Sequence, residues 1–228
     1  MKDPYVLEDG TLRNLLGITD YKELKKAETD IGYVKIINAG ELAQNSFNMD
    51  FLKRIHKHIF EDVFDWAGEF RTIPIYKREV VIPGVSLEYS MPENIERDLS
   101  EQMDILNSRN WENKNVGEIT RTFTKDLARI WRVHPFRDGN TRTVLTFASI
   151  FAREHDFEMD MSEILNQLTR QVDSEGIIRN YSVRDRFVLA ALDEENHPEP
   201  QYLEWIIRRA IERGIMNKIN TLNELIER

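Results

Sequence analysis

The sequence contains no cysteine, which excludes disulfide bonds and thiolate metal sites. Basic residues are also scarce relative to acidic ones, and the net charge of −9 argues against a general nucleic-acid-binding protein. No hydrophobic run approaches the length of a membrane span, and the first residues lack the apolar segment of a secretory signal. These absences predict a cytoplasmic globular protein without nucleic-acid or membrane partners. An acidic protein can still bind a nucleotide, because local N–H groups and one or two arginines suffice to hold phosphates.

Most of the chain carries hydrophobic residues at helical spacing. Between positions 50 and 66, for example, apolar side chains recur every four residues: Phe51, Ile55, Ile59 and Val63. Residues 71–89 break this pattern, because the segment is rich in β-branched residues and is interrupted by Pro74 and Pro83, which is typical of a hairpin or an irregular flap and not of a helix. The sequence therefore predicts the all-α fold class, as a helical bundle with one small β-hairpin flap.

The segment HPFRDGNTR, residues 134–142, falls between two predicted helices. This position puts His134 on the connecting turn, where we expect it to be exposed to a bound substrate and able to act as a general base. The second helix is expected to begin near Gly139, so its first N–H groups would form an anion site that Arg142 completes with a permanent charge. Asp138 supplies a hard oxygen ligand suited to Mg²⁺ that is shared with a nucleotide.

Each of these residues also has an ordinary structural explanation. A histidine before proline often just ends a helix, a Gly-Asn pair is a common turn, and Asp138 and Arg142 have the spacing of an i,i+4 ion pair. A base, a metal ligand and anion donors within nine residues nevertheless favour function over coincidence. Together they indicate transfer of a phosphoryl-type group from a nucleotide to a hydroxyl.

The segment HPFRDGNTR is similar to the signature of the Fic family, H-x-F-x-[DE]-G-N-[GK]-R. The resemblance extends to FDWAGEFRT, residues 64–72, and to the opening run GTLRNLLGITDYKELKKAE, which resembles the cell-filamentation branch of the family. It implies a Fic-type helical bundle. The domain organisation expected from it comprises an N-terminal helical extension at 1–45, a Fic domain at 46–213 with the flap at about 71–89, and a C-terminal helix at 214–228.

The resemblance implies a Mg²⁺-dependent protein adenylyltransferase. Such an enzyme moves AMP from ATP to a tyrosine, threonine or serine hydroxyl of a target protein, or of itself, and releases pyrophosphate. His134 matches the base that takes the hydroxyl proton, and Asp138 matches the Mg²⁺ ligand. The phosphate-binding positions of the family fall on Gly139, Asn140, Thr141 and Arg142. The expected partners are therefore ATP, the magnesium ion and a target protein with an accessible hydroxyl.

The flap concerns target binding, and two departures from the family pattern concern the binding of the phosphates. The resemblance implies that the target segment adds to the flap as a strand, with Ile82 near the turn of the flap. Thr141 stands where the family has glycine or lysine, and Leu145 stands where AMP-transferring members carry a further phosphate-binding arginine. Losing such a contact costs about 1.5–3 kcal/mol unless another cation replaces it. Lys77 and Arg78 on the flap are the candidates for that replacement.

These departures leave other functions open. The donor can instead be UMP, another nucleotide or a phosphate group, and a bundle that binds a nucleotide or a partner without turnover is a further alternative. The inhibitory helix of many family members, [ST]-x-x-x-E-[GN], has no convincing match. We therefore expect either constitutive activity or restraint by a separate small antitoxin-like protein. The amphipathic residues 214–228 also leave a homo-oligomer open.

Overall fold

The computed structural model describes residues 3–42, 46–77, 79–82, 84–167 and 170–226. Eight α-helices form within these ranges: α1 (Tyr21–Asn38), α2 (Met49–Phe60), α3 (Ile95–Asn107), α4 (Val116–Val133), α5 (Asn140–Glu154), α6 (Ser162–Leu165), α7 (Val183–Ala190) and α8 (Gln201–Ile226). Two short antiparallel strands accompany them, β1 (Gln171–Val172) and β2 (Ile178–Asn180), with Gln171 opposite Asn180. The predicted all-α class with one small hairpin is confirmed.

The hairpin lies elsewhere than predicted. The described residues of the segment 71–89 form no strand, so of the two predicted forms they have the irregular one and not the hairpin. Local hydrogen bonds explain the difference, because the Ile73 carbonyl accepts from the Arg71 guanidinium and the Lys77 carbonyl accepts from the Ser86 hydroxyl. Main-chain groups that a strand ladder would use are therefore occupied by side chains.

The chain divides into two compact units, each built from several separate segments. The first unit comprises Met1–Ile75, Tyr89–Asp104 and Val133–Phe147, and the second comprises Tyr76–Glu88, Ile105–Arg132 and Ala148–Arg228. The whole segment 134–142 belongs to the first unit. The first unit is therefore the part of the fold that positions the candidate site.

Helices α1 and α2 form the frame of the first unit, and side chains fix where both begin. The carboxylate of Asp20 accepts from the main-chain N–H groups of Lys22 and Glu23 and so caps the start of α1. The side chain of Asn48 accepts from the Phe51 amide and caps the start of α2. The residues on the predicted apolar stripe of α2 are fully buried, and α2 ends at Phe60. Within the described part of the predicted extension at 1–45, α-helix begins only at Tyr21.

Aromatic packing and a long helix organise the second unit. One cluster joins α4 to α5 and the loops beside them through Trp111, Phe123, Phe151 and Phe157, with ring centroids 5.2–6.4 Å apart. Helix α8 continues without interruption across position 214, where a domain boundary was predicted. A Cβ at Gly214 would lie 2.6 Å from the carbonyl carbon of Glu158, so glycine allows α8 to pack closely against that backbone. Over the described ranges, no helix has the length and apolar character needed to cross a bilayer.

Candidate active site

The start of α5 lies where the sequence predicts the anion site. The helix begins at Asn140, and the N–H groups of its first turn have no acceptor within the helix. The positive end of the helix dipole adds to these donors, so a phosphate placed there would be stabilised by both. Thr141 and Arg142 belong to this first turn.

Gly139 allows the chain to turn into α5 against an aromatic ring. Its φ of +79° lies in the left-handed region, which favours glycine. A Cβ atom at this position would lie 2.5 Å from Cζ of Phe60, which is closer than side chains approach one another. The Gly139 carbonyl also accepts from the Thr143 hydroxyl over 3.0 Å, which fixes the turn to the first part of α5. Both the backbone conformation and the packing of the turn therefore require glycine.

The side chain of Asn140 closes the loop that precedes α5. Its Oδ1 accepts from the Phe136 amide over 2.9 Å, and its Nδ2 donates to the Phe136 carbonyl over 2.8 Å. This pair of hydrogen bonds uses both ends of the side-chain amide within the loop. Asn140 therefore shapes the site through its side chain, and only its main-chain N–H is directed to the helix start.

His134 lies on the turn between α4 and α5, but it is not exposed. Its exposed fraction is 2%, and the ring of Tyr89 stacks on the imidazole at a centroid distance of 4.1 Å. The backbone at His134 is left-handed, with φ of +52°, which directs the chain sharply away from the axis of α4. The predicted exposure of His134 is therefore wrong, because a left-handed turn and an aromatic neighbour fold the imidazole inward.

A buried arginine braces this turn. Arg71 donates from its guanidinium and its main-chain N–H to four main-chain carbonyls: Ile73, Ser90, His134 and Pro135. The bond from Arg71 Nε to the His134 carbonyl measures 2.9 Å. Burial lowers the pKa of the Arg71 guanidinium to about 10, so the group is still charged at neutral pH. Arg71 therefore ties the left-handed turn at His134 to two other stretches of the chain.

A buried histidine supports the loop from α2. The Gly68 amide donates to Nδ1 of His56 over 2.8 Å, so Nε2 carries the proton and donates to the Asp138 carbonyl over 3.1 Å. Its ring stacks on Phe136 at a centroid distance of 3.9 Å. Burial lowers the pKa of the His56 imidazole to about 3, so the ring is neutral at physiological pH. His56 therefore sets the position of the backbone at Asp138.

Asp138 is suited to bind a magnesium ion together with a nucleotide. One of its carboxylate oxygens accepts from the Gly139 amide over 2.6 Å, and the other lies 3.8 Å from Nζ of Lys25. In the part of the chain that the structure describes, no group of three or more histidine, aspartate or glutamate side chains could hold a metal ion. A single carboxylate nevertheless fits Mg²⁺, which commonly takes one or two protein carboxylates and completes its shell with phosphates and water.

Arg142 is held by contacts with two helices. Its Nη2 forms an ion pair with Oε1 of the buried Glu28 on α1. Its guanidinium carbon lies 4.6 Å from the centre of the Phe60 ring on α2, within the range of a cation–π contact. The exposed fraction of the Arg142 side chain is 14%, so the guanidinium is fixed before any ligand arrives.

Lys25 adds a second positive charge beside Asp138. Its Nζ lies 3.0 Å from Oε2 of Glu28, so one glutamate contacts two cations, Lys25 and Arg142. Burial disfavours the charged ammonium, but the carboxylates of Asp138 and Glu28 outweigh it and raise the pKa of Lys25 above its ordinary value. Three charged side chains therefore lie beside the start of α5: Asp138 from the preceding loop, and Glu28 and Lys25 from α1.

The remaining predicted positions lie in different surroundings. Lys77 and Ile82 belong to an irregular segment of the second unit, and Arg78 lies outside the described residues. Leu145 is 2% exposed and packs into the interior, so the position contributes no charge to the site. The roles assigned to these residues and to the motif stay predictions.

Comparison with known proteins decides the family. Residues 46–152 match the Fic/DOC family. The chain is 31% identical over 162 residues to a probable protein adenylyltransferase, y4lH, of Sinorhizobium fredii, and it covers 76% of that protein. The chain belongs to the Fic/DOC family. The family resemblance of the segment 134–142 is thereby confirmed.

Two further Fic proteins match most of this chain. It is 27% identical over 194 residues to the protein adenylyltransferase VbhT of Bartonella schoenbuchensis, which covers 84% of this chain, but it spans only 39% of VbhT. The chain thus corresponds to about two fifths of that relative. The BepC protein of Bartonella tribocorum, solved with bound AMPPNP, matches with a TM-score of 0.72 at 19% identity, over 92% of this chain and 97% of that chain. At this identity the likeness shows a shared fold.

The Fic motif is supported by residues that sequence reasoning did not single out: Lys25, Glu28, His56, Phe60 and Arg71. Weak signals for some of them are present in the sequence. Lys25 and Glu28 have the i,i+3 spacing of neighbours on one helix face, and His56 interrupts the otherwise apolar stripe of α2. These signals show that the side chains share a face, but not that the face meets the Fic motif.

Proposed function

We propose that this chain is a protein adenylyltransferase, which transfers AMP from ATP to the hydroxyl of a protein side chain. The observation that carries the proposal is the assembly of the Fic motif at one helix start, with Asp138 and Gly139 directly before α5 and Arg142 in its first turn. Family membership supports the same activity, because two relatives at 27% and 31% identity are named protein adenylyltransferases.

The reaction divides among the groups of this site. The main-chain N–H groups of the first turn of α5 and the guanidinium of Arg142 bind the phosphates and orient the α-phosphorus. The target hydroxyl oxygen forms a bond to that phosphorus, the bond to the bridging oxygen breaks, and pyrophosphate leaves. His134 accepts the proton of the attacking hydroxyl. Tyr89 covers a face of the imidazole and His134 is 2% exposed, so the target hydroxyl has to reach a nitrogen at the edge of the ring.

Asp138 is the residue that would hold Mg²⁺. When bound, the ion neutralises charge on the phosphate oxygens. One carboxylate oxygen of Asp138 accepts from the Gly139 amide, and the second lies 3.8 Å from Nζ of Lys25. A reaction that consumes ATP also supports the predicted cytoplasmic location.

The target contacts and regulators stay predictions. Lys77, Arg78 and Ile82 are proposed to contact the target segment or the phosphates, and a separate antitoxin-like protein is proposed to restrain the enzyme. The second candidate, transfer of a different nucleotide or of phosphate, is favoured by Leu145, because its buried side chain leaves the site without the arginine that many Fic proteins carry. The experiment below includes these donors.

Incubation of the protein with Mg²⁺, a cell lysate and nucleotides labelled in the α-phosphate tests the proposal. We expect label from ATP to appear on protein, and we expect His134→Ala to lower the rate about 10²–10⁴-fold, the usual contribution of a general base. His197→Ala is the matched control, since His197 is an exposed histidine that also has a left-handed backbone, with φ of +51°. It should label at the wild-type rate.

The competing outcomes are separable in the same assay. Label from α-labelled UTP but not from α-labelled ATP would replace AMP transfer with the second candidate function, and so would label that appears only in a parallel incubation with γ-labelled ATP. Equal labelling by wild type and His134→Ala would remove His134 from the mechanism. Binding of ATP without labelling under any condition would indicate a nucleotide-binding protein without turnover.

A further inference from the structure

We propose that Lys25 is a second phosphate-binding cation of this site and that Glu28 positions both Lys25 and Arg142. The inference rests on the proposed function, because it concerns how the same site holds ATP. AMP-transferring relatives are expected to have a phosphate-binding arginine at position 145, where this chain has leucine. The proposal assigns that positive charge to Lys25 on α1 instead. It also places the replacement cation on α1, whereas the sequence suggested Lys77 or Arg78 for that role.

Lys25 lies where a phosphate bound at the start of α5 would meet it. Its ammonium nitrogen is 3.8 Å from the carboxylate of Asp138, the residue immediately before Gly139. The side chain of Lys25 is 45% exposed, so its end is accessible to a ligand that arrives from solvent. A lysine stem has four methylenes, and its ammonium has three donors, so it can retain one partner and gain a phosphate oxygen.

Glu28 is built into the unit as an anchor for these two cations. Its side chain is 2% exposed, and its two oxygens are divided between Arg142 and Lys25. A buried carboxylate with this arrangement restricts both cations to one region. The three side chains together carry a net charge of +1, and Mg²⁺ held by Asp138 would offset the negative charge of that neighbouring carboxylate, which leaves the group attractive to an anion.

The contacts of Arg142 show that Glu28 does more than fill space. The guanidinium is confined between Glu28 on α1 and Phe60 on α2, and it lies beside Gly32, where a Cβ would be in ordinary contact with Nη1 at 3.6 Å. Arg142 therefore reaches the start of α5 in one conformation. Lys25 remains the more mobile of the two cations because only its ammonium end is tethered.

Calorimetric titration of the full chain with ATP and with adenosine, both in the presence of Mg²⁺, tests the proposal. We expect Lys25→Gln to weaken ATP binding about 10- to 100-fold, the range for one lost charge-assisted hydrogen bond, and to change adenosine binding by less than about twofold. Lys25→Arg should restore most of the affinity. The control is Lys26→Gln, which removes a charge from the next, exposed position, about 100° around the helix, and should bind both ligands as wild type does.

A second pair of measurements tests the role of Glu28. Glu28→Gln should weaken ATP binding as well, since both cations lose their anchor. In a separate measurement on Lys25→Gln, the salt dependence of ATP binding should decrease, because one charge fewer contacts the phosphates. Tighter ATP binding by Glu28→Gln would mean that the carboxylate competes with phosphate for Arg142, which would overturn the positioning role. Should Glu28→Gln fail to fold in a thermal melt, the Lys25 variants still decide the proposal.

The inference and the proposed function fail in different ways. If Lys25→Gln and Lys26→Gln bind ATP equally while the wild type transfers AMP, the Lys25 inference is wrong and the proposed function stands. If the wild type binds ATP but transfers nothing, the proposed function fails. In that case the titrations still show whether Lys25 contacts the phosphates.

Discussion

Replacing Gly139 by alanine tests whether the turn before α5 depends on close packing as well as on backbone conformation. Alanine in the left-handed region, at the observed φ of +79°, costs about 1–2 kcal/mol. Its Cβ would lie 2.5 Å from Cζ of Phe60, and forcing an extra methyl group into a packed site costs about 1–3 kcal/mol more. We therefore expect Gly139→Ala to lower the free energy of unfolding by about 2–5 kcal/mol.

Urea denaturation followed by circular dichroism measures this loss. Gly17→Ala is the matched control, because Gly17 has φ of +68° but a Cβ there would meet nothing within 4 Å. It should lose only the backbone contribution of about 1–2 kcal/mol. In the double variant Gly139→Ala with Phe60→Leu, removal of the ring should recover at least about 1 kcal/mol relative to the sum of the two single changes.

Equal losses in Gly139→Ala and Gly17→Ala would refute the steric part of this reasoning. Such a result would mean that the Phe60 ring moves at little cost. Additive energies in the double variant would lead to the same conclusion, because independent sites do not couple. The glycine would then be explained by its φ alone.

Two other substitutions test the supports of the site. Arg71→Lys keeps the charge but replaces three nitrogen donors by one, so two of the three carbonyls of Ile73, Ser90 and His134 lose their donor. We expect a loss of about 1–3 kcal/mol for each in urea unfolding, and unchanged stability would show that Arg71 is not a brace. Gly32→Ala should raise the free energy of unfolding by about 0.5–1 kcal/mol in a thermal melt, because alanine is a better helix former than glycine. A Cβ at this position would make ordinary contacts with Ile59 and Arg142, at 3.5 and 3.6 Å. A loss of stability would mean that α1 needs the open space at Gly32.

Much of the helical framework could be predicted because its signals are local. The apolar stripe of α2 comes from residues four positions apart, and every member of it is buried. The start of α5 could also be predicted, since Gly139 and the residues that follow it determine their own backbone conformation. The location of the hairpin could not be predicted, because strands of two and three residues give no periodic pattern.

The surroundings of the motif could not be read from the sequence, because they depend on contacts between distant segments. Nothing near His134 in the chain indicates that Tyr89 covers it or that Arg71 holds its carbonyl. The pairing of Glu28 with Arg142 is equally non-local. Sequence patterns show which residues share a helix face, whereas the choice of partner for that face is made by the packing of the whole unit.

The separation between Glu28 and Arg142 has a consequence for biosynthesis. The two residues are 114 positions apart, and translation at about 5–20 residues per second makes the arginine about 6–23 s after the glutamate. During that interval the carboxylate of Glu28 has Lys25 as a partner but not Arg142, so the packing of α1 that buries Glu28 is not yet complete on the nascent chain. The candidate site is therefore completed only after α5 has been synthesised.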